Sequence, residues 1–218
     1  MLLLLKAAPD LLGGLLVTLL IGAGAAILAV FAAFVAGLAL QAKCRALRIL
    51  SRVYIETFRG TSALVQLYFL FYVLPLVGIL LSAWMVGVMG LGLCIGAYGA
   101  VVVSTAVNAV ASGQNEAAAA LGLRPRQAMR LVILPQALRI MLPQCGNLSV
   151  ELLKATALVS LITLHDLTFE AQMFNQETFH TAEAFLTILV IYYALAQGLT
   201  QSFNALHARL DVAARRAL

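Results

Sequence analysis

Charge is scarce in this chain, and lysine is as rare as aspartate. Only 11% of its 218 residues are Asp, Glu, Lys or Arg, and the lysines are Lys6, Lys43 and Lys154 alone. None stands in a GxxxxGK[ST] context, so the chain has no phosphate loop and any ATP must be bound by another chain. Cysteine is sparse as well. Cys44, Cys94 and Cys145 are odd in number, scattered and without CxxC spacing, and they read as small packing residues. His165, His180 and His207 lack ligand spacing, so no metal site is expected. There is no HExxH, no nucleophile elbow and no paired aspartate within an apolar stretch, which argues against a hydrolase inside the bilayer.

What the chain has is apolar length. It is 63% hydrophobic with a mean hydropathy of +1.00, more than a single soluble domain of this size can bury. No charge occurs from Leu11 to Leu40, or again from Gly60 to Asn115. At about 1.5 Å per residue against a hydrocarbon core of about 30 Å, the first stretch is one span and the second must be two. Proline, glycine and serine between Pro75 and Ser82 mark the turn between those two. A further span fits Ile140 to Leu164 although it carries Glu151 and Lys154, and another fits Ala184 to about Phe203. The reading is an all-α integral membrane domain, 1–218, with spans at about 11–40, 55–75, 83–111, 140–164 and 184–204. The leucines ahead of Lys6 are followed by no separate cleavage region and are expected to form a short interfacial piece.

Basic residues give the orientation. The connector after the first span holds Lys43, Arg45, Arg48 and Arg52. The 112–139 loop holds Arg124, Arg126, Arg130 and Arg139, and the C-terminal tail holds Arg209, Arg215 and Arg216. The other side carries Lys6 with Asp10, and a 165–183 loop with Asp166, Glu170, Glu177 and Glu183 but no Lys or Arg. By the positive-inside rule the N-terminus is outside and the C-terminus is cytoplasmic, and the net charge of +5 is a topology signal rather than a nucleic-acid surface.

The cytoplasmic 112–139 loop is the most informative segment. Glu116 to Leu121 are good helix formers, Gly122 is a natural helix stop and Pro125 suits the first turn of a second short helix, so the loop is expected to be helix, turn, helix. A run of four alanines has no core of its own to bury, and suits close approach to a partner's groove. Glu116, placed at the start of that helix, would favour its dipole.

Glu116-Ala117-Ala118, Gly122, Val132 and Leu134-Pro135 closely resemble the EAA loop of permease subunits of ABC importers, with valine where isoleucine is usual. Phe58 to Thr61, Leu64 to Gln66, Gly96 to Tyr98, Leu134 to Arg139 and Leu152 to Ser160 add a likeness to the polar amino-acid uptake group, covering about residues 13–205. Within that group, Arg59 to Gln66 and Glu151 to Glu170 look most like the permease for ectoine and hydroxyectoine.

The resemblance implies a transport subunit of the bacterial inner membrane, not an enzyme, with no cofactor in this chain. It implies a second permease, similar or identical, two cytoplasmic ATPases carrying ATP and Mg, and an external solute-binding protein. Gly113, Gln114, Glu116, Ala117, Ala118, Gly122, Arg124, Leu134 and Pro135 would then couple to the ATPase, with Arg126 beside them. The implied cargo is a small polar or zwitterionic solute, ectoine or hydroxyectoine first, a polar or basic amino acid or an opine otherwise. The group commonly has a glutamate and an arginine after Gly-Ala-Tyr, whereas Val101 and Ser104 stand here, which disfavours a charged pocket at that point.

Candidates for the solute path are Thr57, Thr61, Ser62, Gln66, Asn108, Glu151, Lys154 and Thr156. Glu151 and Lys154 are three apart, so on a helix they share a face and are expected to neutralise one another. Glu56 and Arg59 repeat that spacing, with Arg59 placed to snorkel. Ser and Thr among these residues also suit plain helix–helix contacts. Two other classes fit the spans: an ATP-independent channel or carrier, and a membrane scaffold. Neither explains the loop.

Overall fold

The computed structural model describes the backbone of residues 2–110 and 112–215, and side chains over that range apart from 2–8, 112, 115 and 210–215. Among the described residues all regular structure is helical. The elements are α1 (Leu2–Ala39), α2 (Arg45–Gly60), α3 (Ala63–Tyr68), α4 (Ala83–Ala109), α5 (Ser112–Ala120), α6 (Pro125–Ala128), α7 (Leu134–Ala155), α8 (Leu167–Thr178) and α9 (Thr181–Arg215). Among the described residues four stretches are long and apolar enough to cross a membrane: Pro9–Ala39, Ala83–Ala109, Pro125–Ile162 and Thr181–Arg209. A fifth is possible if α2 and the helical stretch Ala63–Val77 count as one broken span. The chain is a multi-pass membrane protein.

The centre of the bundle is α1 against α4. Ala25, Ala29 and Ala33 recur every four residues along α1 and are buried, as are Ala97 and Ala100 on α4. Small side chains let two backbones approach closely, which supplies packing where lipid removes the usual hydrophobic drive. The approach leaves no room for even a methyl group at Gly99, where an added Cβ would sit 2.8 Å from the Cβ of Ala33. Ile21, Leu67, Leu91, Leu152 and Val159 complete this core. A second core of Ala33, Val103, Val107, Ile133, Ala137 and Met141 joins α1, α4 and α7 near the α5–α6 end.

Three features differ from the reading of the sequence. The N-terminal leucines are not a separate piece, since α1 runs unbroken from Leu2. The region expected as one span at 55–75 is broken: α2 and the stretch from Ala63 meet at 103°. Thr61 (φ −119°, ψ 152°) and Ser62 (φ −69°, ψ 135°) are extended there, so no i to i−4 ladder crosses the junction. The second helix after the Gly122 turn is not short. From Pro125 it continues through a π turn at Met129–Ile133 into α7, and then through a 3-10 segment to Ile162.

Candidate functional site

The 112–139 loop folds as a capped helix, a tight turn and the start of a long span. Leu123 N donates to Ala118 O at 3.1 Å and Gly122 N to Ala119 O at 2.9 Å, the paired closing bonds of a Schellman end. Gly122 sits at φ 74°, the left-handed region that only glycine occupies at no steric cost. Pro125 opens α6 at a position whose N–H has no helical acceptor, and Gln127 Oε1 accepts from Arg124 N at 2.9 Å. Pro135 cannot donate back along the helix. The wider π turn just before it closes with Leu134 N on Met129 O.

This loop exposes one surface and anchors another. Gly113, Gln114, Glu116, Ala117, Gly122, Arg124 and Pro135 are exposed and Leu134 is half-buried, while Ala118 is buried at 2%. Ala118 therefore acts as the anchor of α5, and its neighbours stay exposed. Leu121, 78% exposed, adds a bare apolar side chain that reading the sequence passed over. Gln136 was missed too: its Nε2 donates to Gln114 Oε1 at 3.2 Å and ties α5 to α7. One correction concerns Glu116. Because α5 begins at Ser112, no acidic residue lies in its first turn, and the side chain is an exposed surface carboxylate outside reach of the dipole argument.

The solute-path candidates do not form one cluster. Thr57, Thr61, Ser62 and Gln66 come together at the α2–α3 break. Gln66 Nε2 donates to Phe58 O at 2.9 Å and Thr61 Oγ1 at 2.7 Å, and Thr61 Oγ1 donates to Thr57 O at 2.8 Å. Gln66 Oε1 is buried with no partner. The amide thus staples the end of one helix to the start of the next. Arg59 lies over the Tyr98 ring, 5.2 Å from its centroid, and not against Glu56.

Asn108 belongs elsewhere. Gln41 Nε2 donates to Asn108 Oδ1 at 2.9 Å and to Ser104 Oγ at 3.2 Å, a polar cluster joining the ends of α1 and α4. Gln41 was not singled out from the sequence because its partners are more than sixty residues away. Thr156 is fully buried in the core and donates to Leu153 O at 2.6 Å. Glu151 and Lys154 are both exposed, and no ion pair joins them. In the 165–183 segment His165 Nδ1 lies 3.0 Å from Glu170 Oε1 and His180 Nδ1 lies 3.4 Å from Glu183 Oε1.

That segment holds a buried acid. Asp166 caps α8, accepting from Phe169 N at 3.0 Å and Thr168 N at 3.2 Å, and is fully buried. Burial raises its carboxyl to about 6 against the lowering pull of those N–H groups. Thr18 of α1 reaches across, accepting from Leu167 N at 3.1 Å while donating to Gly14 O at 2.9 Å.

Comparison with known proteins bears on the family and the fold. The family profile described as binding-protein-dependent transport system inner membrane component matches residues 25–212. A probable amino-acid ABC transporter permease, y4tF of Sinorhizobium fredii, is 45% identical over 152 residues, 67% of this chain and 64% of that protein. A probable amino-acid permease, YxeN of Bacillus subtilis, is 33% identical over 88% of this chain and 87% of its own length. A crystal structure of an amino acid ABC transporter with histidines superposes with a TM-score of 0.89 at 32% identity, covering 94% of this chain and 96% of that one. The inward-facing MetNI methionine ABC transporter, at 18% identity and a TM-score of 0.71, shares the fold.

Proposed function

The chain belongs to the family of binding-protein-dependent transport system inner membrane components, and from that premise we propose that it is the permease subunit of an ATP-driven importer of an amino acid or a similar small zwitterion. The observation that carries the reading is the loop: α5 ends in a turn that fixes its direction, exposes Glu116, Ala117 and Leu121, and is tied through Gln114 to the long helix that crosses the membrane. A partner ATPase that grips α5 moves α7 with it. Gly113, Gln114, Glu116, Ala117, Ala118, Gly122, Arg124, Leu134 and Pro135 form or support that handle. ATP and Mg are held by the ATPase.

With the loop on the cytoplasmic side, the C-terminus lies inside and the 165–183 segment faces the external binding protein. A second permease, similar or identical, lies against exposed faces of the spans, and Glu151, Lys154 and the Gln41–Ser104–Asn108 cluster border the path between them. Arg59 over Tyr98 is less available, since the ring already holds it. The relatives' names speak of amino acids, and others of glutamine and cystine, which supports an amino acid as cargo. The narrower reading of ectoine or hydroxyectoine rests on the likeness of residues 59–66 and 151–170 alone.

The test is reconstitution. The tagged chain is purified from its own membranes in mild detergent with its companions, and uptake into liposomes is measured with and without ATP for glutamine, cystine and ectoine. Co-purification of a P-loop ATPase and ATP-dependent uptake support the reading. Recovery of the chain alone with solute movement that needs no ATP would replace it with a channel or carrier.

A further inference from the structure

We propose that α2 is a docking surface for anionic phospholipid, with the headgroup on Arg45, Arg48 and Arg52 and the acyl chains along Ile49 and Val53. Spacings of three and four residues place the three arginines on one stripe of the helix. Lys43 lies just before them, and no acid occurs between Lys43 and Ile55. All four cations are exposed, and none has an acidic partner among the described residues. Glu56, one turn beyond Arg52, closes the stripe without pairing to it.

A second side of α2, adjoining the stripe on its Arg48 edge, is packed. Ser51 and Ile55 are buried, and Tyr54 Oη donates to Leu93 O at 2.7 Å. Between the packed side and the cationic stripe runs a bare apolar flank: Ile49 is 51% exposed, Leu50 68% and Val53 56%. A helix with one packed side and one polar side needs no further partner, but α2 has a third surface, apolar and directly beside the arginines. A soluble acidic ligand satisfies only the arginines, and an apolar protein face satisfies only the flank. A phospholipid carries an anionic headgroup and hydrocarbon in one molecule and matches both.

Position supports the same occupant. α1 ends at Ala39, and the arginines follow within thirteen residues, where a span gives way to the headgroup layer. The 103° turn at Thr61–Ser62 also frees α2 from the axis of the helix that follows. Since Gln66 staples that turn, a lipid held on α2 acts on the orientation of α3 through a fixed elbow.

The experiment is titration of the purified complex in detergent with short-chain phosphatidylglycerol and, separately, phosphatidylcholine, read by native mass spectrometry. Each arginine near an anionic surface contributes about fivefold in affinity. The Arg45→Gln, Arg48→Gln, Arg52→Gln triple variant should therefore bind phosphatidylglycerol about a hundredfold more weakly, with phosphatidylcholine unchanged. The matching triple lysine variant should stay close to the unaltered protein. Where the glutamine variant does not fold, the unaltered complex is titrated in rising salt, which should weaken phosphatidylglycerol binding selectively. Equal affinity for the two lipids, salt-insensitive binding or full phosphatidylglycerol binding by the glutamine variant would overturn the proposal. So would loss of a companion protein from that variant with lipid binding intact, which would assign the stripe to a protein partner.

Discussion

Gln136 on α7 donates from Nε2 to Gln114 Oε1 on α5 at 3.2 Å, so the exposed loop helix and the membrane-crossing helix are joined by a side-chain bond outside the turn that links them in sequence. The pair is therefore connected twice, through the chain and through this bond. Replacing either residue by leucine should lower ATP-driven uptake several-fold while leaving thermal stability nearly unchanged, since an exposed hydrogen bond contributes only about 1 kcal/mol. The double variant should be no worse than the worse single one. Strictly additive losses, measured as uptake per ATP hydrolysed, would show that the bond is not the link.

Gly122 is held at φ 74° with nothing within 4 Å of where a Cβ would stand. Its role is therefore conformational and not spatial. Gly122→Asn, which tolerates the left-handed region, should retain more retention of the ATPase on a tagged-chain column than Gly122→Val, which distorts the turn at a cost of about 1–2 kcal/mol. Equal behaviour of the two variants would mean that the turn is not what the partner reads.

Gln66 makes the elbow between α2 and α3. Gln66→Leu leaves Thr61 Oγ1 and Phe58 O without their donor, and should lower stability by about 1–3 kcal/mol, seen as a lower midpoint in a detergent thermal melt. Gln66→Glu should be at least as harmful, because the buried oxygen that already lacks a partner becomes part of a buried charge. An unchanged midpoint in both would show that backbone packing alone sets the bend.

Asp166 predicts a pH dependence with a definite sign. Its carboxyl titrates at about 6 in the folded protein, above the ordinary aspartate value of about 3.9, so between those values the folded state binds more protons than the unfolded one. The contribution of this group to stability falls as pH rises through that window and is constant above it. Asp166→Asn retains an acceptor for Phe169 N and removes the titration. Relative to that variant the unaltered protein should gain thermal stability as pH falls from about 7 to 4. A difference that stays flat with pH would refute the burial argument.

The loop was largely legible because its signals are local. Gly122 as a stop and Pro125 as a start each act on the backbone of their own neighbourhood, and both features stand in the structure. The start of α5 was misplaced by four residues because Ser112, Gly113 and Asn115 are weak helix formers that gain from continuity with the helix. The elbow at Thr61 was not legible. No proline or second glycine marks it, and the staple that holds it depends on Gln66 folding back across eight residues to Phe58. Glu151 and Lys154 mislead for the opposite reason: their spacing allows a pair, but exposed long side chains gain too little from pairing to hold one geometry.

By itself the sequence determined the membrane class, the long apolar helices and the helix–turn–helix character of the loop, because hydropathy, helix stops and proline act within a few residues. Tertiary structure alone decided which polar residues meet. Gln41 with Asn108, Gln114 with Gln136, Thr18 with Leu167 and Arg59 with Tyr98 are partners separated by twenty residues or more, brought together only when α1 closes on α4 through its small side chains and the other helices pack around that pair.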